Sequence, residues 1–349
     1  MRVGMFMPTM NKNWVFSNTS PTSMPEWYLA EQSATKAEHY GFDFLLSAVK
    51  FRGFDGDTNP WNYSLDSLSV MAGLAVTTKR IKLFGSIATL LTPPVLAAKQ
   101  AATISDMSGG RFGLNIVTGW EKPEYTQMGL WPGDQHFQTR YDHADEYVRI
   151  MRELWTKGQS DFVGTYFQME DCRLGPLPTA PIELVCAGQS DRGMQFCAEV
   201  GDYQFVVGKP DVDSLRVQNN RLQEQADKAG RAVGSLPLFQ IVLRDSLAEA
   251  EDVVQNWREN MDFPAVTNLM GIAREDLTEN EESTKSLMLG SDAFMISFPL
   301  VLGDAKTIAE KLRSFGEVPG TAGVMLSFQD YLVDVDRFGR EVMPLLTRS

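Results

Sequence analysis

Cysteine and histidine are scarce, three of each in 349 residues. Cys172, Cys186 and Cys197 are too few and too irregularly spaced for a disulfide framework or a zinc site. His39, His136 and His143 lack metal-ligand spacing, so metal hydrolysis is not expected and no metal is assigned. Positive charge is also short: 32 Lys and Arg stand against 45 Asp and Glu, a formal charge of -13. That sign repels phosphate backbones and anionic lipid heads, which argues against nucleic acid and membrane as partners. No apolar run approaches the ~18 residues of a membrane helix, and Met1 to Pro8 has no signal-like stretch. A cytoplasmic location is the expectation. A Gly-x-Ser-x-Gly elbow, a Walker loop and a Gly-x-Gly-x-x-Gly nicotinamide fingerprint are all missing. Asp245 and Asp330 make an unconvincing glycosidase pair.

What is abundant is apolar residue, 43% of the chain, and it comes in a regular order. Eight short runs read as strands: Val3 to Met7, Phe42 to Leu46, Ile81 to Ala88, Phe112 to Val117, Ile182 to Ala187, Tyr203 to Val207, Leu238 to Leu243 and Gly323 to Phe328. Between them lie helical stripes such as Tyr147, Val148, Met151, Leu154 and Trp155, or Ala305, Ile308, Ala309, Leu312 and Phe315. Gly109, Gly110 and Gly316 stand where helix ends favour left-handed glycine. Alternating strand and helix predicts an α/β fold, a (β/α)8 TIM barrel with long insertions, in a single domain over residues 1–349. Pro8 to Pro25, Thr118 to Gln138 and Phe263 to Asp292 are long enough to be functional. The last is acidic and polar, and is expected to be mobile without ligand and to fold over the site as a lid.

In a parallel barrel the active site lies at the C-terminal strand ends. Those ends carry Val49 and Lys50, Ser86, Asn115, and the run Thr118-Gly119-Trp120-Glu121-Lys122-Pro123-Glu124. Ser190 precedes a helix whose free N–H groups suit an anion such as phosphate; a plain helix cap is the equal alternative. Arg140, with Tyr141 at the start of the next helix, offers a bidentate fork for the same anion, or is a surface ion-pair residue. Lys50 reads as a charge partner to an anion or to Glu124, or as a solvated loop lysine. Asn115 alternates with Leu114 and Ile116 and so points into the barrel, where a ligand or a structural network satisfies it. Trp120 and Trp131 form either an aromatic wall for a flat ring or the small core of a long loop.

The stretch Asn115-Ile116-Val117-Thr118-Gly119-Trp120-Glu121-Lys122-Pro123-Glu124-Tyr125, preceded by Ser108-Gly109-Gly110-Arg111-Phe112-Gly113, resembles the bacterial luciferase-like flavin-dependent monooxygenases. Within that family it is most similar to the pyrimidine oxygenases of uracil breakdown. Ala37 to Phe44, Trp131-Pro132-Gly133-Asp134, Cys186 to Ser190 and Gly323 to Phe328 agree. The resemblance implies FMN as cofactor, contacted by Val49, Lys50, Asn115, Glu124, Arg140, Tyr141 and Ser190, with the last three around its phosphate. It implies catalytic roles for Asn115 and Ser86 in holding dioxygen near flavin N5, and electrostatic tuning by Lys50 and Glu124. Trp120 falls in the implied substrate pocket, which Met10 to Ser20 and Phe263 to Leu302 are expected to line. Reduced FMN would come from a separate NADH-dependent flavin reductase, and O2 is the co-substrate. The implied reaction is cleavage of a planar N-heterocycle such as uracil through an oxygen adduct at flavin N5, leaving a flavin N-oxide. Alternatives in the same fold are riboflavin cleavage to lumichrome and ribose, oxidation of sulfones or chlorinated aromatics, deazaflavin-dependent oxidoreduction, and non-catalytic flavin binding. Family members commonly associate through barrel-wall helices, so a homo-oligomer is expected.

Overall fold

A computed structural model describes residues 1–12, 14–21, 24–275 and 298–346. Its centre is a parallel sheet that closes on itself. The strands are β1 (Arg2–Phe6), β2 (Phe44–Leu46), β3 (Lys82–Ala88), β4 (Phe112–Val117), β7 (Glu183–Cys186), β8 (Tyr203–Val206), β9 (Gly234–Leu243) and β11 (Gly323–Ser327). Neighbours run β1, β2, β3, β4, β7, β8, β9, β11 and back to β1, which makes an eight-stranded barrel. The eight barrel strands fall on the eight apolar runs. A further strand, β10 (Leu300–Gly303), pairs with the upper half of β9 from Gln240 to Leu243. A short antiparallel ribbon, β5 (Gln159–Ser160) with β6 (Cys172–Arg173), lies outside the barrel. The strand expected to start at Leu238 starts at Gly234, because Pro237 is tolerated in register with Val206 of β8. Gly316, expected just beyond its helix, is instead the last residue of Ala305–Gly316. A Cβ there would lie 2.2 Å from the sulfur of Met1, an exposed and flexible side chain that can move aside.

Strand alternation sorts the core into two layers. Phe112, Leu114 and Ile116 of β4 face outward and pack with the helix stripes of α3 (Pro94–Ser108) and α5 (His136–Lys157). Phe6, Phe44, Leu46, Phe84, Val185, Leu238 and Met325 face inward and form a second cluster that continues upward into Met10, Trp14, Phe16, Phe54, Trp61, Ala265, Leu269 and Phe298. The barrel interior and its cover are thus one apolar body, with the site between them.

That cover is stapled at Asp262, which caps α9 (Phe263–Arg274) and accepts from Asp57 N at 3.2 Å, Thr58 N at 2.8 Å and Thr58 Oγ1 at 2.6 Å. Asp262 N donates to Phe16 O at 3.1 Å, and Ser17 bridges Met261. Asn268 Nδ2 reaches Phe54 O at 2.8 Å. Inside the first insertion Lys12 is buried and donates through Nζ to Ser17 O at 2.8 Å and Ser20 O at 2.7 Å. The described part of the expected lid, α9, is therefore an anchored helix, and residues 276–292 lie outside the described residues. Among the described residues no helix is long and apolar enough to cross a membrane.

His143 of α5 makes ring contacts with Phe167 and Tyr166, and burial holds its imidazole down at about 4, with His136 adding to the effect. The folded state thus keeps it neutral, and its contribution to stability, complete above the ordinary pKa near 6.5, is lost as the pH falls towards 4. His143→Phe is expected to flatten the decline of Tm across that window. An unchanged acid slope in thermal melts would show that other groups govern it.

Candidate active site

The floor of the cavity at the C-terminal end of the barrel is made by adjacent strands. Ser86 of β3 and Asn115 of β4 are register partners, and Asn115 Nδ2 donates to Ser86 Oγ at 2.8 Å. Ser86 Oγ in turn donates to Ser47 O, and Ser67 Oγ accepts from Ser86 N at 2.8 Å. This chain fixes the amide in one orientation. Its Oδ1 is buried and has no partner within the described residues, while Asn115 and Ser86 both line the cavity. A buried acceptor left open is costly unless a ligand or water reaches it.

One wall is charged. Lys50 follows β2, and α4 (Lys122–Thr126) opens the Thr118 to Gln138 insertion with Glu121 at its cap position. Lys50 Nζ hydrogen-bonds Glu121 Oε2 and lies 3.7 Å from Glu124 Oε2; Glu124 Oε1 accepts from Phe51 N at 2.6 Å. Burial lowers the Lys50 pKa, but Glu121 and Glu124 more than reverse this and leave it above the usual lysine value. Burial pushes the Glu121 carboxyl up to about 7; Lys50 opposes the rise and Glu124 adds to it.

A glycine turn follows β7. Ser190 caps α6 (Asp191–Val200), its Oγ accepting from Gly193 N at 3.2 Å. Ala187 and Gly188 line the cavity just before it, whereas Ser190 itself does not. Gly188 has φ +113°, and a Cβ there would sit 2.2 Å from the Tyr141 hydroxyl; at Gly193 it would sit 2.7 Å away. Only glycine leaves room for this close approach. Arg140 and Tyr141 both line the cavity and are buried, Arg140 to 2% exposure. They lie one turn inside α5 rather than at its first residues. A buried guanidinium, a phenol and the N-terminus of α6 converge there, a donor set suited to an anion.

The cover is aromatic. The Trp14 ring meets Phe6 at 4.7 Å, Trp61 at 4.3 Å and Phe298 at 4.3 Å, and all four line the cavity with Met10, Phe205 and Val207. Trp120 lines it too, 5.9 Å from Lys50 Nζ. Trp131, the other candidate for an aromatic wall, packs outside it against His136 and Phe137. Apart from Ser190 and Trp131, the site residues named from the sequence are brought to this one cavity. Sequence reading missed Glu121 as a site group; its signal was the three-residue spacing from Glu124 at a helix start. Trp61 was missed because it sits on no periodic element, whereas Met10, Trp14 and Phe298 fall within the stretches expected to line the pocket. Among the described residues no group of His, Cys, Asp and Glu is arranged to hold a metal ion.

The sequence profile of the family described as luciferase-like monooxygenase matches residues 1–322. A pyrimidine monooxygenase RutA of Acinetobacter baylyi is 42% identical over 350 residues, covering 99% of this chain and 95% of the relative. A pyrimidine monooxygenase RutA of Enterobacter cloacae is also 42% identical, with 99% and 96% covered. Among solved structures, a long-chain alkane monooxygenase (LadA) superposes with a TM-score of 0.84 at 18% identity, covering 100% of this chain and 91% of that one. A riboflavin lyase (RcaE) crystallised with modified FMN and riboflavin gives 0.82 at 20% identity, with 99% and 91% covered. The two solved structures establish the shared barrel, and the profile together with the closer relatives establishes more: the chain belongs to the luciferase-like monooxygenases.

Proposed function

We propose that this monooxygenase is the oxygenase half of a two-component flavin system and opens the ring of a planar N-heterocycle, a pyrimidine such as uracil. The observation that carries the reading is the polar set of an aromatic-walled cavity: Glu124 Oε2 and Asn115 Oδ1 as acceptors, and the Lys50 ammonium as donor. An imide ring presents N–H donors and carbonyl acceptors in one plane, and such a cavity recognises both. The naming of the RutA relatives as pyrimidine monooxygenases supports the same substrate class.

The residues present fit FMN. Arg140, Tyr141 and the Gly188 to Ser190 turn would hold its phosphate. Bound reduced flavin supplies the electrons that activate dioxygen. The protein's part is positional. Ser47 and Ser67 fix Ser86, Ser86 fixes Asn115, and the pair presents a hydroxyl and an amide to the reacting oxygen. Trp14, Trp61 and Phe298 exclude water from above. With no nicotinamide fingerprint in the sequence, a separate NADH-dependent flavin reductase is the electron source.

An aerobic assay with FMN, NADH and a flavin reductase tests this, with uracil and riboflavin offered separately and products identified by mass spectrometry. Ring-opened uracil carrying one atom of labelled oxygen is the expected result. Lumichrome from riboflavin with uracil untouched would overturn the pyrimidine assignment. In a companion experiment Gly188→Ala is expected to weaken FMN binding at least about tenfold, because the new methyl both strains a positive φ and displaces the Tyr141 hydroxyl. Wild-type affinity in a fluorescence titration would separate the glycine turn from the cofactor.

A further inference from the structure

Lys50, Glu121 and Glu124 put one cation and two carboxylates under cover, at 9%, 1% and 6% exposure. The two carboxylates are not equivalent. Glu121 takes the ammonium in a direct hydrogen bond, lies behind the cavity wall, and leaves its Oε1 without a partner. Glu124 lines the cavity, spends Oε1 on Phe51 N, and keeps Oε2 at 3.7 Å from Nζ, beyond hydrogen-bond reach. We propose that Glu121 is a positioning residue: by taking the Lys50 ammonium it keeps Glu124 Oε2 out of a direct ion-pair hydrogen bond, available to accept an N–H of the heterocycle.

The physical reason is competition for one flexible cation. If Glu121 loses its charge, the attraction on Nζ falls wholly to Glu124, and a small rotation of the lysine stem closes the remaining gap. Glu124 would then be consumed as an acceptor. The charged and titratable groups facing Glu121 are Lys50 and Arg52 from the segment after β2, and Glu124 and Tyr125 from its own helix. With burial placing its ionisation near 7, Glu121 is protonated and loosens its hold on Lys50 below that pH, and is ionised and holds Lys50 above it. Substrate affinity therefore improves as the pH rises through neutrality.

The ligand half of this inference rests on the pyrimidine reading, so the test has two arms. In the first, KM and kcat for uracil are measured from pH 6 to 8 with the flavin-loaded enzyme and its reductase. The wild-type KM is expected to fall with pH while kcat changes little. Glu121→Gln should raise KM about tenfold and make it flat with pH, while Glu121→Asp should restore part of the pH dependence. A Glu121→Gln enzyme with wild-type KM and pH profile, or one losing kcat and KM in parallel, overturns the positioning role. In the second arm no substrate is present: carboxyl-13C glutamate NMR of the protein should show the Glu124 resonance move in Glu121→Gln as Lys50 turns to it, and an unmoved Glu124 resonance overturns the role. A wild type that leaves uracil intact refutes the pyrimidine reading, whereas an unmoved Glu124 resonance refutes the role of Glu121.

Discussion

Asn115→Ala is expected to lower turnover about a hundredfold while leaving flavin affinity within a few-fold of wild type. The magnitude is that of removing one preorganised hydrogen-bonding group from a dry reaction site. The asymmetry comes from position. Asn115 stands on the floor beside Ser86 of β3 and spends its amide on that hydroxyl, whereas Tyr141 and Gly188 touch each other in the turn before α6. Removing its side chain takes away the amide that bonds Ser86 Oγ and the open Oδ1 together, but leaves Arg140, Tyr141 and the glycine turn in place. Ser86 still donates to Ser47 O, so the floor does not collapse and the stability loss is confined to about 1 kcal/mol for one hydrogen bond. Ser86→Thr should retain activity because the hydroxyl is kept, while Ser86→Ala should follow Asn115→Ala in direction. Stopped-flow oxidation and flavin titration on each variant measure the two quantities separately. Equal losses in binding and turnover at Asn115 would remove it from oxygen placement and make it a general cofactor contact.

Arg140→Ala should do the reverse, weakening FMN binding by about 1.5 to 3 kcal/mol, which is roughly ten- to a hundredfold or more in Kd. Arg140 is 2% exposed on α5, and its guanidinium carbon lies 5.2 Å from the centroid of the Tyr141 ring. At such depth a charge-assisted contact with phosphate is not screened as a surface pair would be. Arg140→Lys keeps the charge and loses the planar fork, so an intermediate affinity is expected. At saturating flavin both variants should recover most of their turnover. An unchanged Kd in Arg140→Ala would take Arg140 out of the phosphate site, and a turnover loss that saturating flavin fails to relieve would assign it to the reaction itself.

The barrel was legible because its strands are short apolar runs at regular spacing, and Asn115 was legible because it breaks such a run on the inward side. β10 was not, because Leu300–Gly303 gains its identity only by pairing with the upper half of β9. Gly316 was read as a left-handed stop signal, yet it is the last residue of its helix and has no left-handed φ. Part of the cover was hidden. Phe54 and Trp61 lie in a stretch after β2 with no periodicity, and meet Trp14 of the first insertion only in the fold. Lys50 and Glu124 were found from the resemblance and their strand-end positions. Glu121 was not, because its importance lies in which carboxylate the lysine chooses, and that is a matter of ångströms.

The Asp262 staple has a consequence for how substrate range can drift in this lineage. One carboxylate joins backbone from Asp57 and Thr58 to the start of α9, while Phe16 and Ser17 are tied to the same corner. Segments far apart in sequence therefore share a single hinge point and have to change length and shape together. An insertion in one of them alone would pull on the other two, whereas exchanging a side chain such as Trp14 or Trp61 leaves the canopy's ties in place.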